Sequence, residues 1–205
     1  MNGSILIKIN RYFPTFTKYQ HINLITRVLS IISTIITLIG SYLHITRQIS
    51  NESYYNYFLV SLKGYLINDM IIQLLYLKYF KKDILETSFH HIILILMVNY
   101  SGLYNIKSVG LTSEYTNIHL YTGWYMIQIR KQNTIWFKIN AVLLLISFYI
   151  FRVLLFTYLF YITIYVGEKY HPVMLSGICL LNYYWFKLLI NKAILLIKRT
   201  PIKTT

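Results

Sequence analysis

Long apolar stretches alternate with short polar ones along most of this chain. Six of them predict membrane-spanning helices, since a helix needs about 20 mostly apolar residues to cross the hydrocarbon core. In chain order these spans, A to F, cover residues 27–43, 55–79, 85–104, 111–129, 135–166 and 172–197. Span E is longer than a membrane core requires, so it should tilt or project. Pro172 suits the first turn of span F.

No internal repeat or low-complexity linker divides the spans, so we predict one all-α domain. It is a polytopic membrane protein with six transmembrane helices around a central cavity, covering residues 26–200. We expect residues 1–25 to form a cytoplasmic or interfacial N-terminal segment and residues 201–205 to form a cytoplasmic tail. Composition agrees: 56% of the 205 residues are hydrophobic, which leaves too little polar surface for a soluble domain.

The net charge of +14 would suggest nucleic-acid binding in a soluble protein, but membrane topology explains it. If the six spans alternate in direction, 14 of the 20 Lys and Arg residues lie on the side with both termini, and three lie on the other. Cytoplasmic loops are enriched in these residues, so both termini are predicted to be cytoplasmic. We therefore expect no nucleic-acid partner.

Two adjacent histidines, His90 and His91, lie just inside span C. Imidazole is costly to bury in hydrocarbon, so the pair indicates a protein interior or a water-filled cavity. Burial favours neutral imidazole, which can act as a base or a nucleophile. Two core histidines bonded to their neighbours are the structural alternative. Adjacent helical positions suit a metal poorly, so we expect no metal site.

Neighbouring helical residues diverge by about 100°, so we expect one histidine to face the cavity while the other packs or orients it. Glu86 lies four residues before His90, and Thr87 lies four before His91. Either pair could set the tautomer or charge of a ring.

Polar side chains recur at helical spacing in other spans, as in a cavity lining. Arg152, near the middle of span E, needs a carboxylate such as Asp69 or Glu114, since its insertion costs about 2.5–3.5 kcal/mol. The alternative is a network that only fixes helix packing, and Gly64 could equally mark a close helix contact. The residues that we expect to line the cavity are Tyr65, Gln73, Tyr121, Tyr125, Arg152, Asn182 and Trp185.

Several short motifs follow one another between residues 25 and 200. They are Arg27-Val28-Leu29-Ser30, Gly64-Tyr65 with Asp69, His90-His91, Glu114 with Trp124, Phe148 followed by Arg152, and Leu181-Asn182-Tyr183-Tyr184-Trp185-Phe186. In this order they resemble the TLC-domain family of six-span membrane proteins, which includes the ceramide synthases. Tyr121 and Gly123 depart from the family pattern, because many members have Asn and Arg at these positions before the aromatic residue.

This resemblance implies acyl transfer from acyl-CoA to the amine of a sphingoid base, with His90 and His91 as nucleophile or base. Asp69 and Glu114 would orient them or the amine, completing the predicted catalytic set. Acyl-CoA would be a co-substrate, no other cofactor is expected, and the membrane would be of the endoplasmic-reticulum type.

Other family members act in lipid homeostasis without established chemistry. We therefore predict a protein that binds or regulates membrane lipids through an intramembrane polar cavity. Sphingoid-base N-acyl transfer is the alternative. A transporter or channel is disfavoured, because no repeat or broken helix pair is present.

Overall fold

The computed structural model of the chain describes residues 17–48, 52–77, 84–99, 104–167 and 169–199. The described part is helical and contains no strand. A 3₁₀ turn, Thr112–Glu114, joins α4 to α5, and a π-helical segment, Tyr149–Leu154, joins α6 to α7. The helices are α1 (Lys18–Ile45), α2 (Glu52–Leu75), α3 (Ile84–Asn99), α4 (Tyr104–Leu111), α5 (Tyr115–Gln128), α6 (Ile135–Phe148), α7 (Leu155–Tyr165) and α8 (His171–Arg199). Residues 1–16 of the predicted N-terminal segment and the predicted tail lie outside the described residues.

Four helical stretches of the described chain are long and apolar enough to cross a membrane, and they correspond to spans A, B, E and F. They are Gln20–Ile45, Tyr55–Leu75, Ile135–Tyr165 and His171–Leu195. Helix α3 has 16 residues, or about 24 Å of helix, which is shorter than a membrane core. Predicted span D, residues 111–129, corresponds to the 3₁₀ turn at its start followed by the 14-residue helix α5. The fold is thus all-helical, with four apolar spans and one shorter apolar helix.

Helix α1 begins at Lys18, nine residues before the predicted start at Arg27. Thr17 caps it: its hydroxyl accepts from Gln20 N, and the Gln20 side chain accepts from Thr17 N at 2.7 Å. This capping box satisfies two backbone donors at the helix start. The polar residues of the added turns lower the local hydropathy, so the apolar pattern alone begins later.

The bundle buries polar side chains and exposes apolar ones, as expected for helices whose outer faces contact lipid. On α1, Ser33 and Thr37 are at most 5% exposed, whereas Ile32 and Ile39 are each 50% exposed. Small buried residues let helices approach closely. Gly40 is the closest such contact on this face, because a Cβ there would lie 2.6 Å from Phe58 Cβ on α2.

Gly64, the glycine for which a close helix contact was weighed, faces open space. A Cβ built there would meet nothing within 4 Å. The close-contact alternative was therefore wrong. Gly40 lies on the side of α1 that packs against α2, whereas Gly64 lies on a side of α2 that meets no neighbouring helix in the described part of the chain.

The apolar core occupies the end of the bundle where α1 ends and α2 begins. Its members come mainly from the first part of α2, the second part of α3, α7 and the start of α8. Here His44 on α1 stacks on Tyr55 with ring centroids 4.5 Å apart, and its Nδ1 lies 2.8 Å from the Ser108 hydroxyl of α4. These contacts close one end of the bundle, so the polar side chains of the other end are the ones that enclose space.

Candidate functional site

A cavity of about 360 Å³ lies between the helices at the opposite end of the bundle. Its walls are the start of α1, the second half of α2, the first half of α3, α5, the π-helical segment and the second half of α8. The Gln20 side chain donates to Gln128 Oε1 at 2.6 Å, which joins the start of α1 to the end of α5. Helices that alternate in direction thus bring these distant parts of the sequence to one place.

Most of the residues predicted for the site line this cavity. His90, His91, Asp69 and Glu114 all do, although their predicted catalytic role stays a prediction. The predicted lining residues found in its walls are Tyr65, Gln73, Tyr121, Arg152 and Trp185. Tyr125 and Asn182 lie outside the lining: Tyr125 is 37% exposed, and Asn182 is fully buried.

Both histidines line the cavity, although only one ring was expected to face it. Helix α3 packs between α2 and α8, and the cavity extends along both sides of it. The His91 ring turns toward α2, 6.1 Å from the Tyr65 ring, while the His90 ring turns toward α8, 5.2 Å from Trp185. The divergence of neighbouring residues therefore places one ring on each side of α3, with centroids 5.8 Å apart.

Asp69 is the carboxylate that faces the histidine pair. Its Oδ2 lies 3.7 Å from His91 Nδ1, which is too long for a hydrogen bond but allows charge interaction. Gln73, one helical turn further along α2, donates to the same oxygen at 2.6 Å and holds it in place. Within the described chain, Nδ1 of His90 and Nδ1 of His91 have no hydrogen-bond partner. Buried nitrogens are normally paired, so these two need a partner that the described residues do not supply.

The spacing on α3 had suggested that Glu86 pairs with His90, but it does not. It accepts a hydrogen bond from Trp185 Nε1 at 2.9 Å instead. This bond crosses from α3 to α8 and fixes the indole against the His90 ring, so Glu86 is linked to the histidine through Trp185.

Arg152 forms the buried ion pair that its depth required, and Glu114 is the partner. The two side chains are 3.3 Å apart, with relative exposures of 4% and 5%. Arg152 also donates through Nε to the Thr116 hydroxyl at 2.8 Å and through Nη2 to Asn117 Oδ1 at 3.1 Å. The choice between Asp69 and Glu114 was open from sequence, and helix packing resolves it.

The π-helical segment explains the position of Arg152 and the role of Asn182. A π turn leaves a backbone carbonyl without its usual helical partner, and such turns are frequent at functional sites. The Asn182 side chain on α8 donates to the Arg152 carbonyl at 3.0 Å. Asn182 therefore holds the backbone from which the guanidinium reaches the cavity, although Asn182 itself does not line the cavity.

Arg27 is the cavity residue of greatest consequence that was not among the predicted site residues. Its guanidinium carbon lies 4.8 Å from the centroid of the Tyr121 ring and 5.0 Å from that of Trp124. A cation within an apolar span was the available signal, but in the sequence Arg27 stood at the predicted start of span A, where arginine is common. Lys192 also lines the cavity, near the end of α8.

Among the described residues, no group of three His, Cys, Asp or Glu side chains is arranged to hold a metal ion.

Apolar helices that enclose a polar cavity define an integral membrane protein with an internal site. The family model of the TLC domain matches residues 20–191, so the chain belongs to the TLC-domain family. No curated protein and no solved structure matches the chain significantly. The matched range contains every lining residue named above except Lys192.

Proposed function

We propose that this protein binds the polar head of a membrane lipid in the cavity between its helices. The carrying observation is the histidine pair His90 and His91: both residues line that cavity, and the buried Nδ1 atom of each has no hydrogen-bond partner among the described residues. A hydroxyl or amine can donate to a neutral imidazole nitrogen, and Asp69 beside His91 offers a further acceptor. Such a head would restore the hydrogen bonds that these groups lost on leaving water.

The size of the cavity favours a headgroup rather than a whole lipid. Its volume of about 360 Å³ is at the low end of the roughly 300–1,000 Å³ typical of ligand sites. Leucines such as Leu66 and Leu189 form part of the wall and suit the first methylenes of a chain. The remaining chain would lie along the apolar outer faces of the helices.

A bulky side chain in the cavity should prevent this binding. We expect Leu189→Trp to reduce the lipid retained by the purified protein about tenfold, a loss of about 1.4 kcal/mol, because the indole takes up headgroup space. Leu180→Trp, the same change on the same helix at a position that is 71% exposed, should retain lipid as the wild type does. Mass spectrometry of lipids extracted after gentle detergent purification measures the effect. Equal retention by both variants would place the lipid elsewhere.

Acyl transfer is a second candidate, favoured by the Asp69–His91 pair. In this reaction the amine of a sphingoid base attacks the thioester carbonyl of acyl-CoA, so that a C–N bond forms and the C–S bond breaks. His91 would accept the proton lost by the amine and pass it to the departing thiolate. Asp69 would stabilise the imidazolium that exists between the two transfers. Glu114 would act through Arg152, to which it is bound.

We also propose that both termini are cytoplasmic in a membrane of the endoplasmic-reticulum type, so that the cavity lies toward the cytoplasm. The excess of Lys and Arg at that side supports this orientation. The native sequon Asn51-Glu52-Ser53 should be glycosylated, and a sequon engineered beside Lys82 in a variant that lacks the native sequons should not be. Gel mobility with and without a glycosidase reads this out. The reverse pattern would invert the proposed orientation.

A further inference from the structure

Arg27 places a positive charge inside the cavity from a helix that is otherwise apolar. It belongs to the stretch Gln20–Ile45, which is long and apolar enough to span a membrane. The faces of Tyr121 and Trp124 lie about 5 Å from its guanidinium carbon. Cation–π contacts stabilise the charge and fix the side chain, but they use none of the N–H groups.

In the described part of the chain, Arg27 has hydrogen-bonding capacity that its neighbours do not use. A guanidinium carries five N–H donors. Within the described residues, Arg27 forms no ion pair within 4.0 Å, and its buried Nε has no hydrogen-bond partner. Arg152 differs, since Glu114, Thr116 and Asn117 all accept from it. A cation at this depth is expected to have an anionic partner or to mark a ligand path.

Two of the three carboxylates that line the cavity are already engaged. Glu114 is bound to Arg152, and Glu86 accepts from Trp185. Asp69 is close enough to interact with the charge of Arg27, yet its oxygen is held by Gln73 and faces His91. Among the described residues, Asp69 therefore shares the charge of Arg27 without an ion pair within 4.0 Å, and the N–H donors of Arg27 can serve a molecule that enters the cavity.

We propose that Arg27 is the centre of an anion subsite that takes the phosphate group of a phosphorylated amphiphile. Guanidinium can bind phosphate in a two-point arrangement, and the two rings contact Arg27 without accepting hydrogen bonds from its N–H donors. Lys192, which lines the same cavity near the end of α8, adds a second positive charge. The subsite rests on the proposed lipid function and narrows it, because it names the chemistry of the head that the cavity selects.

The test compares three probes, each titrated into the purified protein in a non-ionic detergent and followed by native mass spectrometry. The probes are hexadecyl phosphate, hexadecanol and inorganic phosphate. We expect the wild type to bind hexadecyl phosphate about 10- to 100-fold more tightly than hexadecanol, the range that charge-assisted hydrogen bonds supply. Inorganic phosphate should compete poorly, because it lacks the chain.

Arg27→Gln should remove most of the preference for phosphate over alcohol. Arg27→Lys keeps the charge but loses the two-point geometry, so it should retain part of the preference and serves if the glutamine variant does not fold. Arg130→Gln is the matched control, since Arg130 is an exposed arginine just beyond α5, and its preference should equal that of the wild type.

Each other outcome overturns a defined part of the proposal. Equal binding of phosphate and alcohol by the wild type, or an unchanged preference in the Arg27 variants, would remove the anion subsite and leave lipid binding standing. Full competition by inorganic phosphate would replace the amphiphile by a soluble anion. Binding of none of the probes, together with failure of the Leu189→Trp comparison, would remove the proposed function as well.

Discussion

Arg152→Met is expected to lower the free energy of unfolding by about 3–5 kcal/mol, because it leaves the Glu114 carboxylate buried without its cation. Both side chains are at most 5% exposed. The substitution also removes the donors to Thr116 and Asn117, whose oxygens accept from Arg152. An unpaired buried carboxylate accounts for most of the loss, and the freed acceptors add to it.

A double-mutant cycle separates the charge from the shape of the side chains. Arg152→Met combined with Glu114→Leu should recover a large part of the lost stability, because paired apolar replacements leave no buried charge. Arg130→Met, the same substitution at the exposed arginine just beyond α5, should change the stability by less than about 0.5 kcal/mol. Reversible unfolding in mixed detergent micelles, followed by circular dichroism, gives the free energies. Additive losses in the double variant would show that the pair is not coupled.

Under the second candidate function, His91→Ala is expected to reduce the formation of N-acylated sphingolipids to background. A positioned general base contributes about 10²–10⁴-fold, and His91 is the ring that faces the Asp69 carboxylate. Asp69→Asn should produce a smaller loss, because the imidazole remains but its positive form is no longer stabilised. The measurement is lipid mass spectrometry in cells that lack their own ceramide synthases.

Two comparisons make this experiment specific. His119→Ala is the matched control, since His119 lies on α5, outside the cavity, and is held by Tyr115 and Asn140. It should retain the activity of the wild type. His90→Ala tests the second ring, and loss in both α3 variants would assign the reaction to the pair. Absence of product from well-expressed wild-type protein would refute acyl transfer and leave lipid binding as proposed.

Helical class and much of the site content could be predicted because they depend on local pattern. Apolar runs predicted spans A, B, E and F, and the polar spacing in span D predicted that Glu114 and Tyr121 share a face with the cavity. The demand of Arg152 for a carboxylate follows from the cost of its burial. Span C was predicted over residues 85–104, and α3 confirms it as a helix over residues 85–99, beyond which residues 100–103 lie outside the described part of the chain.

The sequence by itself determined that this is a helical membrane protein of the TLC type, with buried histidines and carboxylates that need partners. Those partners were decided by tertiary structure, because they come from other helices. Trp185 donates a hydrogen bond to Glu86, and Glu114 forms an ion pair with Arg152. Packing of α3 between α2 and α8 lets both histidines reach the cavity. The hydrogen bond from Asn182 to the π turn, and the contacts of Arg27 with the rings of Tyr121 and Trp124, likewise exist only when helices distant in sequence meet.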